Sequence, residues 1–196
     1  MNALVTRFFN PRLLFTAVAA LTIGTAPAAY ATVSHYVATL NGPSESPANA
    51  SPGTGSATVD IDDVANTMHL HVDFSGLTGT TTASHIHAPT AVAGTGTAGV
   101  ATTTPTFAGF PGGVTSGSYD NTLDLTASSS YNPAFVTANG STVAGARAAL
   151  LAAIAAGKAY WNIHSSTFGG GEIRGFLVAA VPASSTTWGR LKGLYH

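Results

Sequence analysis

Residues 67–74 read TMHLHVDF, apolar and polar in unbroken alternation, and this period of two most constrains what the chain can fold into. Successive side chains of a strand point to opposite faces, so Met68, Leu70, Val72 and Phe74 define a core face. His69, His71 and Asp73 then share the other face. Similar runs predict strands at HYVATL (35–40), SATVDID (56–62), SHIH (84–87) and YDNTLDLT (119–126), and again at 159–164 and 172–179. Between 56–62 and 67–74, DVAN (63–66) reads as a hairpin turn, and the Gly/Pro/Ser-rich stretch 41–55 reads as a loop.

One segment breaks the pattern. VAGARAALLAAIAA (143–156) is rich in helix formers, Ser141 and Thr142 are placed to cap its start, and Gly157 stands where a left-handed C-terminal cap belongs. Many short strands and one short helix before the penultimate strand predict an all-β, Greek-key β-sandwich of the superoxide dismutase or immunoglobulin kind, with the helix covering one end.

The chain has 196 residues, and its first 31 read as an export signal: Arg7 and Arg12 precede an apolar stretch from Leu13 to Ile23, and Ala29-Tyr30-Ala31 has the small-x-small pattern of a cleavage site. The apolar stretch is shorter than the ~20 residues a spanning helix needs. The expectation is therefore a secreted, periplasmic or cell-surface protein without stable membrane insertion after cleavage. The domain is expected over 32–181, with 182–196 as a flexible tail similar in its opening to a bacterial sorting tail. Net charge is −1 and there is no basic patch, which argues against a nucleic-acid partner. Cysteine is absent, so neither a disulfide nor a thiolate nucleophile is available to an exported chain that could use one. Serine-hydrolase elbows and Walker or Rossmann glycine patterns are lacking too, and GTGTAG (94–99) has no phosphate-loop lysine. Nothing in the sequence indicates an oligomeric state.

Strand parity also sorts the histidines. With Ile86 inward, His85 and His87 point outward together; with Trp161 and Ile163 inward, Asn162 and His164 point outward; with Ile173 and Leu177 inward, Glu172 and Arg174 do. A His-x-His pair on one strand holds two imidazoles on one face about 6.5–7 Å apart at the backbone. Two such rings can converge on one ion ~2.0–2.1 Å from each nitrogen, and a histidine from an adjacent strand completes a three-coordinate site. Ligation by nitrogen without thiolate suits copper or zinc, and nickel less well. The plain alternative is solvated surface, with Glu172 and Arg174 paired to each other in an exposed ion pair worth ~0–1 kcal/mol. His35 stands apart and is assigned no role.

GLTGTTTASHIHAPTAVAGTG (76–96) and GKAYWNIHSSTFGGGEIRGFL (157–177) resemble the two signature blocks of the CHRD domain, first described in chordin and common in exported bacterial proteins. Ala88 replaces a glycine of the first block. The pattern is in turn similar to that of copper-zinc superoxide dismutases, in the order Gly76, Leu77, His85, His87, His164, Arg174. That resemblance implies copper ligands at His85, His87 and His164, and an anion-guiding, catalytic role for Arg174. It implies His71 as fourth imidazole with His69 as the alternative, and Glu172 and Asn162 as outer-shell partners. A zinc loop with a bridging histidine is missing, so the resemblance implies a copper-only site acting on a small anion, superoxide. The rival expectations are a non-enzymatic extracellular interaction module and a copper carrier.

Overall fold

The computed structural model describes residues 33–181; the expected leader and the tail from 182 lie outside the described residues. Eight strands form one antiparallel sheet: β1 (Val33–Asn41), β2 (Thr54–Asp62), β3 (Thr67–Ser75), β4 (Thr81–His87), β5 (Gly117–Asp124), β6 (Tyr160–Ser165), β7 (Ile173–Phe176) and β8 (Val178–Ala179). Their spatial order is β4-β6-β7-β1-β2-β3-β5, with β8 paired to β1. The fold is all-β and sandwich-like, as expected.

The sheet curls until its two ends meet. Thr81 at the start of β4 donates its N–H to Val114 O at 2.8 Å and accepts from Gly113 N at 2.9 Å, in the segment that leads into β5. The interior seam is aromatic: Phe107 lies edge-on to Trp161 of β6 at 5.4 Å and stacks on Tyr119 of β5 at 5.8 Å. Trp161 is wholly buried and its Nε1–H is satisfied by Ser84 Oγ at 2.8 Å, as a buried indole requires.

Parity in β3 is as the alternation predicts. Met68, Leu70, Val72 and Phe74 are buried, and they join Leu40, Val59, Ile61, Ile86, Ile163, Ile173 and Leu177 in one core. The helix is also where its caps place it. In α2 (Val143–Ala155), Thr142 Oγ1 accepts from Gly145 N at 3.0 Å, and Gly157 has φ +65° just beyond the last turn. Ala146, Leu150, Ala153 and Ile154 make the stripe that packs on the core. A second helix, α1 (Pro133–Ala138), was not expected. Its start signal is local: Asn132 caps Ala134 N and Pro133 occupies the first turn, where a missing N–H costs nothing. Among the described residues no helix is long and apolar enough to cross a membrane.

The outer face of the sheet is divided in two. Over β1, β2, β3 and β5 it is bare, so the outward residues of β1 and β3 are exposed or half-buried. Over β4, β6 and β7 it is roofed by loops, and every residue of β6 except His164 is buried. Side chains that parity sends outward here therefore point beneath a second polar layer rather than into water.

Candidate metal centre

Register aligns the roofed residues in rows. His85, Asn162 and Arg174 lie side by side across β4, β6 and β7; His87, Tyr160 and Phe176 form the next row; His164 faces Ala83 one row the other way. His85 and His87 therefore point to the same side as His164, as parity required, and the three rings meet. His85 Nε2 and His164 Nε2 are 2.9 Å apart, the His85 and His87 ring centroids are 4.6 Å apart, and one nitrogen from each of the three rings lies within 4.8 Å of the others.

Which nitrogen is free follows from the hydrogen bonds. His85 Nδ1 meets Pro105 O at 3.1 Å, His87 Nδ1 meets Ala98 O at 2.8 Å, and His164 Nδ1 meets Gly169 O at 3.0 Å. A carbonyl oxygen only accepts, so each Nδ1 carries the proton and each Nε2 is left with a bare lone pair. The Nε2 of His87 is buried without any partner. Two bare lone pairs 2.9 Å apart repel one another unless a cation or a proton stands between them. The pattern of Nδ1–H held by an oxygen with Nε2 presented inward is the one metal-binding histidines adopt.

The rings are also kept neutral. Burial, together with the neighbouring rings of His87 and His164, pushes His85 down from 6.5 to about 3. Burial pushes His87 down to about 4 and lowers His164 as well. A low-dielectric pocket that disfavours imidazolium supplies ligands that need not lose a proton first. Three donors ~2.0–2.1 Å from one ion stand ~3.5 Å apart when trigonal, and the trans pair of a T shape about 4 Å apart, so the cluster fits a single ion with little adjustment.

Four expectations are corrected by geometry. His71 is not in the cluster: β5 on the closed side of the curl and β6, β7, β1 and β2 on the other stand between β3 and β4, and its ring contacts Asp120 and Asp73 instead. His69, its alternative, is likewise held by Asp120 and Asp60 on the bare half. Glu172 and Arg174 form no exposed pair, since they are 0 % and 4 % exposed and engage different partners. Glu172 accepts from Thr78 N, from Gly79 N at 3.2 Å and from Ser51 Oγ at 2.6 Å, tying three loops together away from the imidazoles. Asn162 touches no histidine nitrogen; its Nδ2 donates to Glu45 Oε1 at 2.6 Å.

Arg174 is enclosed on nearly every side. Its Nε donates to Ser44 O and its Nη1 to Gly96 O at 3.0 Å, while its guanidinium lies 4.7 Å from the Tyr160 ring centroid. The counter-ion beside it is Glu45, with Oε2 3.8 Å from Nε, in the place the sequence reading gave to Glu172. Burial raises the Glu45 carboxyl, although the Asn162 bond and the Arg174 charge oppose that. Tyr160 links this group to the histidines: its ring stacks on His87 at 4.7 Å and 5°. Glu45 lies in a loop with no periodicity to single it out, but Tyr160 shares parity with Asn162 and His164 and could have been found. Gly171, at φ +129°, is required by close approach, because a Cβ would come within 2.7 Å of both Asn162 and Glu45.

No curated protein matches the chain, and no solved structure does. The profile of the CHRD domain matches residues 36–177, a span that runs from β1 to the end of β7 and holds all three histidines. The chain belongs to the CHRD-domain family.

Proposed function

We propose that this CHRD domain is an exported copper-binding protein whose ion is held by His85, His87 and His164. The observation that carries the reading is the set of three Nδ1–H groups committed to backbone carbonyls, which leaves three neutral Nε2 lone pairs facing one another. All-imidazole ligation favours copper, with zinc as the alternative ion. The test is metal analysis of protein purified without added ions and without a polyhistidine tag. About one copper per chain supports the reading, and loss of that copper in His164→Ala assigns it to the cluster. A preparation that neither retains nor takes up copper rejects it and leaves an extracellular interaction module.

The finer reading is superoxide dismutation, in which two superoxide anions and two protons yield dioxygen and hydrogen peroxide. Bound copper would supply the one-electron couple this needs. The protein's share is electrostatic. Arg174 places a fixed positive charge behind Tyr160 and close enough to His87 to lower that ring's proton affinity. Its Nη2 makes no hydrogen bond within the described residues, so one donor edge is left for an anion.

A further inference from the structure

The three carbonyls that hold the imidazole Nδ1–H groups are not anchored alike. Beside Pro105, Phe107 N–H bonds to Ser84 O at 2.9 Å, and beside Gly169 a turn closes from Gly171 N–H to Phe168 O at 3.0 Å. Ala98, which holds His87, lies in the connection from β4 to β5, where residues 91–97 are exposed throughout. Gly94 and Gly96 take φ +71° and +84°, and a Cβ at either would meet nothing within 4 Å. These glycines let the loop turn; they do not pack it. Backbone bonds fix its ends, Gly94 N–H to Gly157 O at 2.9 Å and Ala88 N–H to Gly99 O at 3.1 Å. Between those ends two side chains reach in from the sheet, Arg174 Nη1 to Gly96 O and Tyr160 to Ala98.

Tyr160 touches both His87 and the residue that holds it. Register pairs Tyr160 with His87 across β6 and β4, so the two rings leave the sheet on the same side, and they stack at 4.7 Å and 5°. The stack stops the imidazole from turning about its Cβ–Cγ bond. The hydroxyl lies beyond, where it accepts from Ala98 N–H at 3.3 Å and donates to Ala98 O at 3.4 Å. Each bond is long and weak alone; sharing one oxygen, they bracket Ala98 and set the direction of its carbonyl. That carbonyl has two lone pairs, and the other takes the His87 Nδ1–H at 2.8 Å. The Phe176 ring at 5.3 Å and the Arg174 guanidinium at 4.7 Å enclose the Tyr160 ring in turn.

We propose that Tyr160 is a positioning residue for His87: its hydroxyl, acting through Ala98, holds the imidazole as the Nδ1–H tautomer with Nε2 turned toward His85 and His164, and its ring fixes the imidazole plane. This rests on the three-histidine reading and adds to it the group that steadies the ligand whose carbonyl lies in the most exposed loop. Partners that orient a ligating histidine from behind are worth ~10–100-fold in metal affinity. Tyr160→Phe isolates the hydroxyl, because the ring that packs on His87 and Phe176 remains and the freed Ala98 N–H adjoins exposed loop residues where water can take it.

The experiment is imidazole nitrogen NMR of the metal-free, untagged full chain labelled with 15N at histidine, followed by copper titration of the same samples. In the wild type His85, His87 and His164 are each expected to show a protonated Nδ1 and a bare Nε2. In Tyr160→Phe the His87 signals alone are expected to move toward a mixture of tautomers, and copper affinity to fall ~10–100-fold. Para-aminophenylalanine in place of Tyr160 returns a donor to the same point and is expected to recover both. The proposal is overturned if His87 in Tyr160→Phe keeps its wild-type signals, if all three rings shift alike as a general loosening would make them, if copper affinity holds while the tautomer shifts, or if the para-amino variant recovers nothing. A wild type that takes up no copper rejects the copper reading instead, and the His87 signals of the metal-free chain still decide the role of Tyr160.

Discussion

Replacing Glu172 by alanine should cost the fold heavily while leaving the metal ligands in place. The carboxylate is wholly buried and is the acceptor for Ser51 Oγ, Gly79 N and Thr78 N, which belong to the β1–β2 and β3–β4 loops. Burial alone would raise its pKa, but bonds from Ser165, Ser51, Thr78 and Gly79 outweigh that and hold it below its usual range. Alanine leaves two buried donors and one partly buried donor without an acceptor. At ~1–3 kcal/mol per buried donor the loss is about 2–6 kcal/mol, against a total stability of ~5–15 kcal/mol. For a domain of this size that is a fall in Tm of roughly 5–20 °C. Glutamine keeps the acceptor toward Thr78 and Ser51 but turns an N–H toward one of the donors, so it should lose about half as much. Because the folded carboxyl is held low, its contribution is present above the unfolded value of 4.5 and fades as pH falls below it. Urea unfolding of the metal-free variants at pH 7 and pH 4 is the assay. The reasoning fails if Glu172→Ala unfolds with the wild type, or if Glu172→Gln loses copper while keeping its stability, since that would tie the carboxylate to the ion.

The metal-free protein should weaken in mild acid. The folded forms of His85 and His87 resist protonation down to about 3 and about 4, while the unfolded chain takes up protons near 6.5, so stability is full above pH 6.5 and falls below it. The loss is ~1.4 kcal/mol per ring per pH unit, or about 4 kcal/mol for both rings at pH 5. Denaturant midpoints from pH 7 to 5 check this, and equal slopes for wild type and His85→Ala/His87→Ala would refute it. Arg174→Ala, measured on copper-loaded protein by pulse radiolysis, should retain the ion but consume superoxide at least tenfold more slowly. An unchanged rate with copper retained would refute anion guidance.

How much of this was legible depends on which property is local. Period-two alternation placed the strands and the inward faces, because side-chain direction in a strand depends only on position parity. The same parity brought His85, His87 and His164 to one side of β4 and β6. It failed for His71, which points outward just as they do, because parity says nothing about strand order and β3 neighbours β2 and β5 rather than β4 or β6. It also failed for the environment of Asn162, Glu172 and Arg174. Asn162 and Arg174 lie beneath loops 42–51, 94–98 and 165–171, which cover that half of the face and follow no period, and Glu172 precedes β7 and turns to the β1–β2 and β3–β4 loops. Glu45, in the first of those loops, became visible only once that loop lay against β6 and β7. The short helix α1 was missed although Asn132-Pro133 announces it, since a six-residue helix is too brief for periodicity to register.

The central claim is that three imidazole Nε2 atoms from β4 and β6 share one ion. The most direct measurement is Cu(II) electron paramagnetic resonance of the untagged protein loaded with one equivalent, using chain labelled with 15N only at histidine. The account predicts nitrogen hyperfine structure from three imidazoles, falling to two in His164→Ala. A spectrum showing oxygen-dominated ligation, or one indifferent to that substitution, would contradict it.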